Sequence, residues 1–259
     1  MDEDGTGIDH NRPDQPWPAL RRLTPARIGL GRSGASLATQ PLLDFRLAHA
    51  RARDAVHAEM GEVPGLEDLG LPVLHAATQA GDRRTYLMRP DLGRRLHRDA
   101  AAVLLPHAGR HGLAVVVADG LSAQAVERHA VPLLHCLLPA LADWAVAPLV
   151  VLRQARVAAG DEAAAALGAA AVLVLIGERP GLSAPDSLGA YATWAPHPGT
   201  TDADRNCVSN IRPDGLGYAD AARRLTFLLR AMRANKISGV ALKDGSAALP
   251  SPSPSGVKP

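Results

Sequence analysis

Residues 113–122 read Leu113-Ala114-Val115-Val116-Val117-Ala118-Asp119-Gly120-Leu121-Ser122. The apolar, β-branched run 113–118 has the composition of a strand buried on both faces of a sheet. Ser122 stands where a helix N-cap belongs, and a helical pattern continues to about residue 141. A second strand is expected at 148–152, a short helix at 161–168, and a third strand at 171–176 (Ala-Val-Leu-Val-Leu-Ile). A further helix at 218–234 leads into an apolar segment, 237–242, read as a last strand. Strands alternating with helices predict an α/β protein with a doubly wound, mostly parallel, Rossmann-like sheet.

Outward from this block the chain changes character. Residues 42–60 are helix formers with a stripe through Leu43, Leu47 and Ala50, and 69–96 is mixed. Residues 20–100 are therefore read as an N-terminal helical arm and 101–245 as the α/β domain. The acidic, proline-dotted start (1–19) and the Ser-Pro repeats of 246–259 are expected to be disordered tails.

Composition sets the class. Of 259 residues, 47% are hydrophobic, ample for a core. The net charge of +2 lacks the basic excess that nucleic-acid binding needs. The longest apolar stretch, 131–152, holds His135, Asp143 and three prolines (Pro132, Pro139, Pro148), so it is no membrane span. Residues 1–18 are the opposite of a signal peptide. Cys136 and Cys207 make neither a disulfide framework nor a zinc site, which indicates a reduced, cytoplasmic protein.

In doubly wound sheets ligands sit beyond the carboxyl ends of the strands. The candidate segments are 119–122, 153–157 and 177–181, joined by the long segment 182–217. That segment reads as an ordered functional loop, because it carries Trp194, Asp202, Asp204, Arg205, Asn206 and Cys207 with little periodicity.

Each motif has a plainer account beside its chemical one. Gly29-x-Gly31-x-x-Gly34 matches the dinucleotide fingerprint in letters, but no strand precedes it, so a close-packed turn explains it better. Cys207 near His197, Asp202 and Asp204 could be a thiol nucleophile, although a loop cysteine is more often a small packing residue. Cys136 lies in an apolar helical run and reads as core. Asp119 and Glu178, both at strand ends, could be an acid–base pair. Loop bracing is an equal reading for Asp119, and an ion pair to Arg179 or another nearby arginine the plain one for Glu178. His97, His107, His111, His129 and His135 show no metal spacing. No Asp-x-His-x-x-Gly occurs, so the chain lacks the motif by which a protein histidine replaces cobalamin's nucleotide base on cobalt.

Several blocks resemble the small-subunit family of ethanolamine ammonia-lyase. They are the run from Gly81-Asp82-Arg83-Arg84-Thr85-Tyr86 to Leu96, Val117-Ala118-Asp119-Gly120-Leu121-Ser122, and Ile176-Gly177-Glu178-Arg179-Pro180-Gly181-Leu182. The most specific is Asp202-Ala203-Asp204-Arg205-Asn206-Cys207 with Ser209-Asn210-Ile211-Arg212-Pro213, and Ser238-Gly239-Val240-Ala241-Leu242-Lys243-Asp244 closes the series. The resemblance covers about residues 20 to 245 in order.

It implies an α/β small subunit that joins a barrel-shaped large subunit. Together they convert ethanolamine to acetaldehyde and ammonia with adenosylcobalamin, by a radical mechanism. The large subunit holds the substrate and the cofactor lies between the two. The resemblance assigns cofactor contact to Val157, Glu178 and Cys207, and no catalytic or metal-ligating residue to this chain. It leaves open whether the enzyme is enclosed in a bacterial microcompartment. Two other classes remain at this point: a stand-alone hydrolase built on Cys207 or Glu178, and a non-catalytic docking protein.

Overall fold

A computed structural model describes residues 16–245 except Pro25, Gly34 and Asp244. The tails expected at 1–15 and 246–259 lie outside the described residues. Residues 16–19, grouped with the first tail, lead into and begin helix α1 (Trp17–Arg21).

The arm continues with a small hairpin, β1 (Arg32–Ser33) and β2 (Ser36–Leu37), and the long helix α2 (Thr39–His57). Of α2 only Ala55 is buried. The next element, β3 (Val73–Ala77), falls within the range expected to be the arm but is an edge strand of the main sheet. Helices α3 (Arg83–Met88) and α4 (Ala100–Leu104) follow. Asp82 caps α3 by accepting from the Thr85 N–H at 2.7 Å.

The α/β block is β4 (His111–Ala118), α5 (Ala123–Leu137), β5 (Leu149–Arg153), α6 (Val157–Leu167), β6 (Ala169–Gly177), β7 (Leu188–Trp194), β8 (Arg205–Ile211) and α7 (Tyr218–Asn235). The six-stranded sheet runs β3-β5-β4-β6-β7-β8. β3, β5, β4 and β6 are mutually parallel, and β7 and β8 add antiparallel. The predicted mostly parallel α/β sheet is therefore present, with an antiparallel edge.

The continuous apolar run of β4 has its reason in the layers. Leu113, Val115 and Val117 face a core shared with α5 and α7, while Ala114, Val116 and Ala118 face a second core shared with α4 and α6. All six are fully buried. A strand covered on both sides cannot alternate with polar residues.

Two expectations are corrected. Residues 182–217 are not a loop throughout, because β7 and β8 lie within them. In β7, Leu188, Ala190 and Ala192 enter one core while Tyr191 turns to the other, an alternation that small residues disguise. Residues 237–242 are no strand but contain a short 3-10 turn, Gly239–Ala241. Gly239 has φ +71° and its Cα lies so near the Ala203 carbonyl that a Cβ would sit 1.9 Å from it. Ser238 is held by hydrogen bonds to the Asp204 carbonyl (2.6 Å) and from the Trp194 N–H (2.9 Å), which stops extension. Two boundaries also move: α6 begins at Val157 rather than 161, and α5 tightens into a 3-10 turn, Leu138–Leu141, at Pro139.

Candidate functional site

The carboxyl ends of β4, β5 and β6 converge. The Leu121 N–H donates to the Gly177 carbonyl at 2.9 Å, and a Cβ on Gly120 would lie 2.2 Å from that oxygen. Gly120 has φ +56°, so a side chain is disfavoured on both counts.

Asp119 resolves in favour of bracing. Its carboxylate is buried and accepts from the backbone N–H groups of Gln154 (2.8 Å) and Ala155 (2.9 Å). It thereby fixes the turn between β5 and α6, where Gln154 takes a positive φ of 53°. Burial holds the Asp119 carboxyl above its ordinary value, against the opposing pull of these donors and of Arg83. Arg83, itself buried, lies 3.7 Å from Asp119 and donates to the Gly120 and Val56 carbonyls at 2.8 and 2.7 Å.

The block from Gly81 to Leu96 builds the adjoining wall. Tyr86 is fully buried, with the guanidinium of Arg83 4.9 Å and that of Arg156 4.5 Å from its ring centre. Burial pushes its phenol up to about 12. Gly93 is the floor of this stack: a Cβ there would come within 2.9 Å of the Tyr86 ring and 3.2 Å of Arg156. The Gly93 carbonyl also accepts from the Arg156 N–H at 2.8 Å. The turn carrying Arg156 and Val157 is thus held by Asp119 from below and by Tyr86 and Gly93 from the side.

Above that turn an open depression of about 470 Å³ is lined by Arg156, Val157, Gly177, Glu178, Arg179 and Tyr191, among others. The structure brings Val157 and Glu178 together here. Val157 is half-buried at the first position of α6, whose N-cap, Arg156, gives no side-chain cap. Glu178 is half-buried, and its Oε2 accepts from the Ser187 hydroxyl and from the Asn210 N–H at 3.2 Å. Among the described residues it makes no ion pair, so the Arg179 pairing is not formed. Cys207 is exposed on β8 directly across from Tyr191 of β7, beside the depression rather than in its lining. Its Sγ lies 3.2 Å from the Ser209 hydroxyl.

The neighbours required for a thiol nucleophile are elsewhere. His197 turns its Nδ1 to the Pro198 carbonyl, Asp204 closes a capping box with Thr201, and Asp202 lies 3.5 Å from Arg205. Arg205 and Asn206, next to Cys207, are structural. Arg205 Nη1 meets both oxygens of the buried Asp161 at 2.6 Å, tying β8 to α6. The Asn206 amide binds the backbone of Gly239 and Leu242. Cys136, expected in the core, is exposed on the outer side of α5, whose buried face carries Leu133, Leu134 and Leu137. Gly29 takes φ +58° against the Trp17 ring, the close-packed turn expected of it, while Gly34 lies outside the described residues.

The family model for ethanolamine ammonia-lyase light chain (EutC) matches residues 14–243. The chain belongs to this family. Among its relatives, the ethanolamine ammonia-lyase small subunit of Azotobacter vinelandii is 55% identical over 240 residues, covering 89% of each chain. The small subunit of Bradyrhizobium diazoefficiens is 57% identical over 243 residues, covering 91% of this chain and 93% of its own. That of Pseudomonas putida KT2440 is 54% identical over 248 residues, covering 92% and 91%.

Sequence reasoning singles out neither Tyr191 nor Tyr86 as a site residue, and it reaches Arg156 only within the candidate segment 153–157. The signal available for Tyr191 was its place as the odd aromatic in an alternating run of small residues. For Tyr86 it was the density of arginine and glycine around one tyrosine. Among the described residues no helix is long and apolar enough to cross a membrane, and no group of three or more His, Cys, Asp or Glu is placed to hold a metal ion.

Proposed function

We propose that this chain is the small subunit of an adenosylcobalamin-dependent ethanolamine ammonia-lyase, which converts ethanolamine to acetaldehyde and ammonia. It acts in the cytoplasm with the large subunit, which holds the substrate, and contributes one wall of the cofactor site. The observation that carries the reading is the family match over 14–243, with Val157 and Glu178 in one open depression at the carboxyl edge of the sheet.

The residues present fit such a group. A corrinoid is far larger than this depression, so the chain can receive only one edge of it, as a wall between subunits would. That edge is rimmed with carboxamides, which need both acceptors and donors. Glu178 offers a carboxylate oxygen, Tyr191 a hydroxyl, Arg156 a guanidinium, and Val157 an apolar contact at the uncapped start of α6. Cys207 adds a thiol contact at the edge of this surface. When bound, the cofactor supplies the radical that removes a hydrogen atom from the substrate. The task left to this chain is to orient that cofactor and exclude water from one side. The Arg83–Tyr86–Arg156 stack and the Asp119 brace serve it by holding the wall rigid.

The test is reconstitution. The purified chain should form no acetaldehyde from ethanolamine and adenosylcobalamin, and should do so on addition of the large subunit. Robust turnover by the chain alone would defeat the proposal.

A further inference from the structure

Tyr191 has a more specific role than lining. It projects from β7 to the α6 side of the sheet and is partly buried there. A Cβ on Gly189 would lie 3.1 Å from Glu178 Cγ and Oε1 and 3.3 Å from Tyr191 Cε2. The absent side chain of Gly189 therefore lets Glu178 and Tyr191 lie together over one patch of strand. Cys207 stands on Tyr191's other side.

The donor and acceptor pattern of this trio is directional. Glu178 Oε2 is already engaged by Ser187 and Asn210, while Oε1 accepts no hydrogen bond among the described residues. Burial, then the Cys207 thiol and the Glu178 carboxylate, push the Tyr191 phenol up, so it keeps its proton and remains a donor. A thiol sulfur is a weak acceptor, so the hydroxyl gains by turning to a carbonyl when one arrives. A free carboxylate oxygen beside a phenol O–H matches one chemical group closely: the primary carboxamide, which offers an N–H to the first and a C=O to the second.

We infer that Glu178 and Tyr191 form a pair that reads one side-chain carboxamide of the bound ligand, Glu178 Oε1 accepting its N–H and the Tyr191 hydroxyl donating to its carbonyl. This rests on the cofactor reading above, in which the ligand is a corrinoid with a rim of such amides. Tyr191 is then a specificity-determining contact.

The experiment titrates hydroxocobalamin, which cannot turn over, into the complex with the large subunit, followed by the absorbance of the corrin. Tyr191→Phe keeps the ring and removes only the hydroxyl. It should weaken binding roughly three- to tenfold with unchanged melting temperature and subunit assembly. A second arm gives the wild-type complex cobalamin monocarboxylates, in which a single corrin carboxamide is hydrolysed to carboxylate. At least one should bind about tenfold more weakly, because Glu178 then faces a like charge in place of an N–H. Wild-type affinity in Tyr191→Phe, or equal affinity across all the monocarboxylates, overturns the inference. If Tyr191→Phe fails to assemble, the monocarboxylate arm decides it. If the wild-type complex binds no corrinoid at all, the cofactor reading itself falls and takes this one with it.

Discussion

Glu178 sits where a charge has no packing reason to be, at the end of a strand that is otherwise apolar and buried. Its partners, Ser187 and Asn210, steady one oxygen, and the other accepts no hydrogen bond among the described residues. Glu178→Ala should cost cofactor binding by the complex roughly 1–3 kcal/mol, about five- to hundredfold in affinity. Its melting temperature should move little, because the side chain is only half-buried and one of its two donors, the Asn210 N–H, lies on an exposed residue. Unaltered cobalamin affinity in a well-assembled variant would remove Glu178 from the site. Asp161 represents the opposite kind of residue. Burial lifts its carboxyl to about 6, against the pull of Arg205. A proton bound more tightly by the folded chain than by the unfolded one stabilises the fold below the unfolded value. That contribution is complete below 3.8 and is lost as pH rises through about 6. Carboxyl titration of Asp161 by NMR should therefore find a midpoint near 6, and a midpoint below 3.8 would contradict this account of the buried pair.

Among the elements, α2 stands apart. It runs for 19 residues, buries only Ala55, and leaves Leu43, Phe45 and Leu47 at 51%, 38% and 52% exposure. A helix with so little packing on its own chain needs another surface to bury those groups. Amide exchange across 39–57 should slow when the large subunit is added, and Phe45→Ala should weaken assembly roughly tenfold or more. Unchanged exchange through this helix would place the interface elsewhere. The elements also differ in how legible they were. β4 and β6 could be read directly, because burial on both faces leaves no room for polar residues. β3, with His75 and two alanines, carries too little β-branched character to be seen beside a helical arm. β7 and β8 were hidden for another reason: their small and polar residues make sense only once each has its neighbour. The segment 237–242 misled because apolarity does not reveal a glycine at positive φ pressed against a backbone carbonyl.

At the scale of the molecule, three sequence blocks far apart in the chain meet at one end of the sheet. The stretch around Tyr86 supplies the wall, the β5–α6 turn supplies Val157, and the end of β6 supplies Glu178, with Cys207 of β8 alongside. The strand-end positions of Glu178 and Asp119 were visible from the sequence, because a charge after an apolar run has few purposes. That Asp119 would brace and Glu178 would face solvent was not visible, since it depends on which strand end lies next to which. The central claim is that this surface is one half of a cofactor site completed by the large subunit. Its most direct test is adenosylcobalamin uptake measured by gel filtration for this chain, for the large subunit, and for the two together. The account predicts that the cofactor co-elutes with the complex and that the chain alone retains none. Equal retention by the large subunit with and without this chain would contradict it.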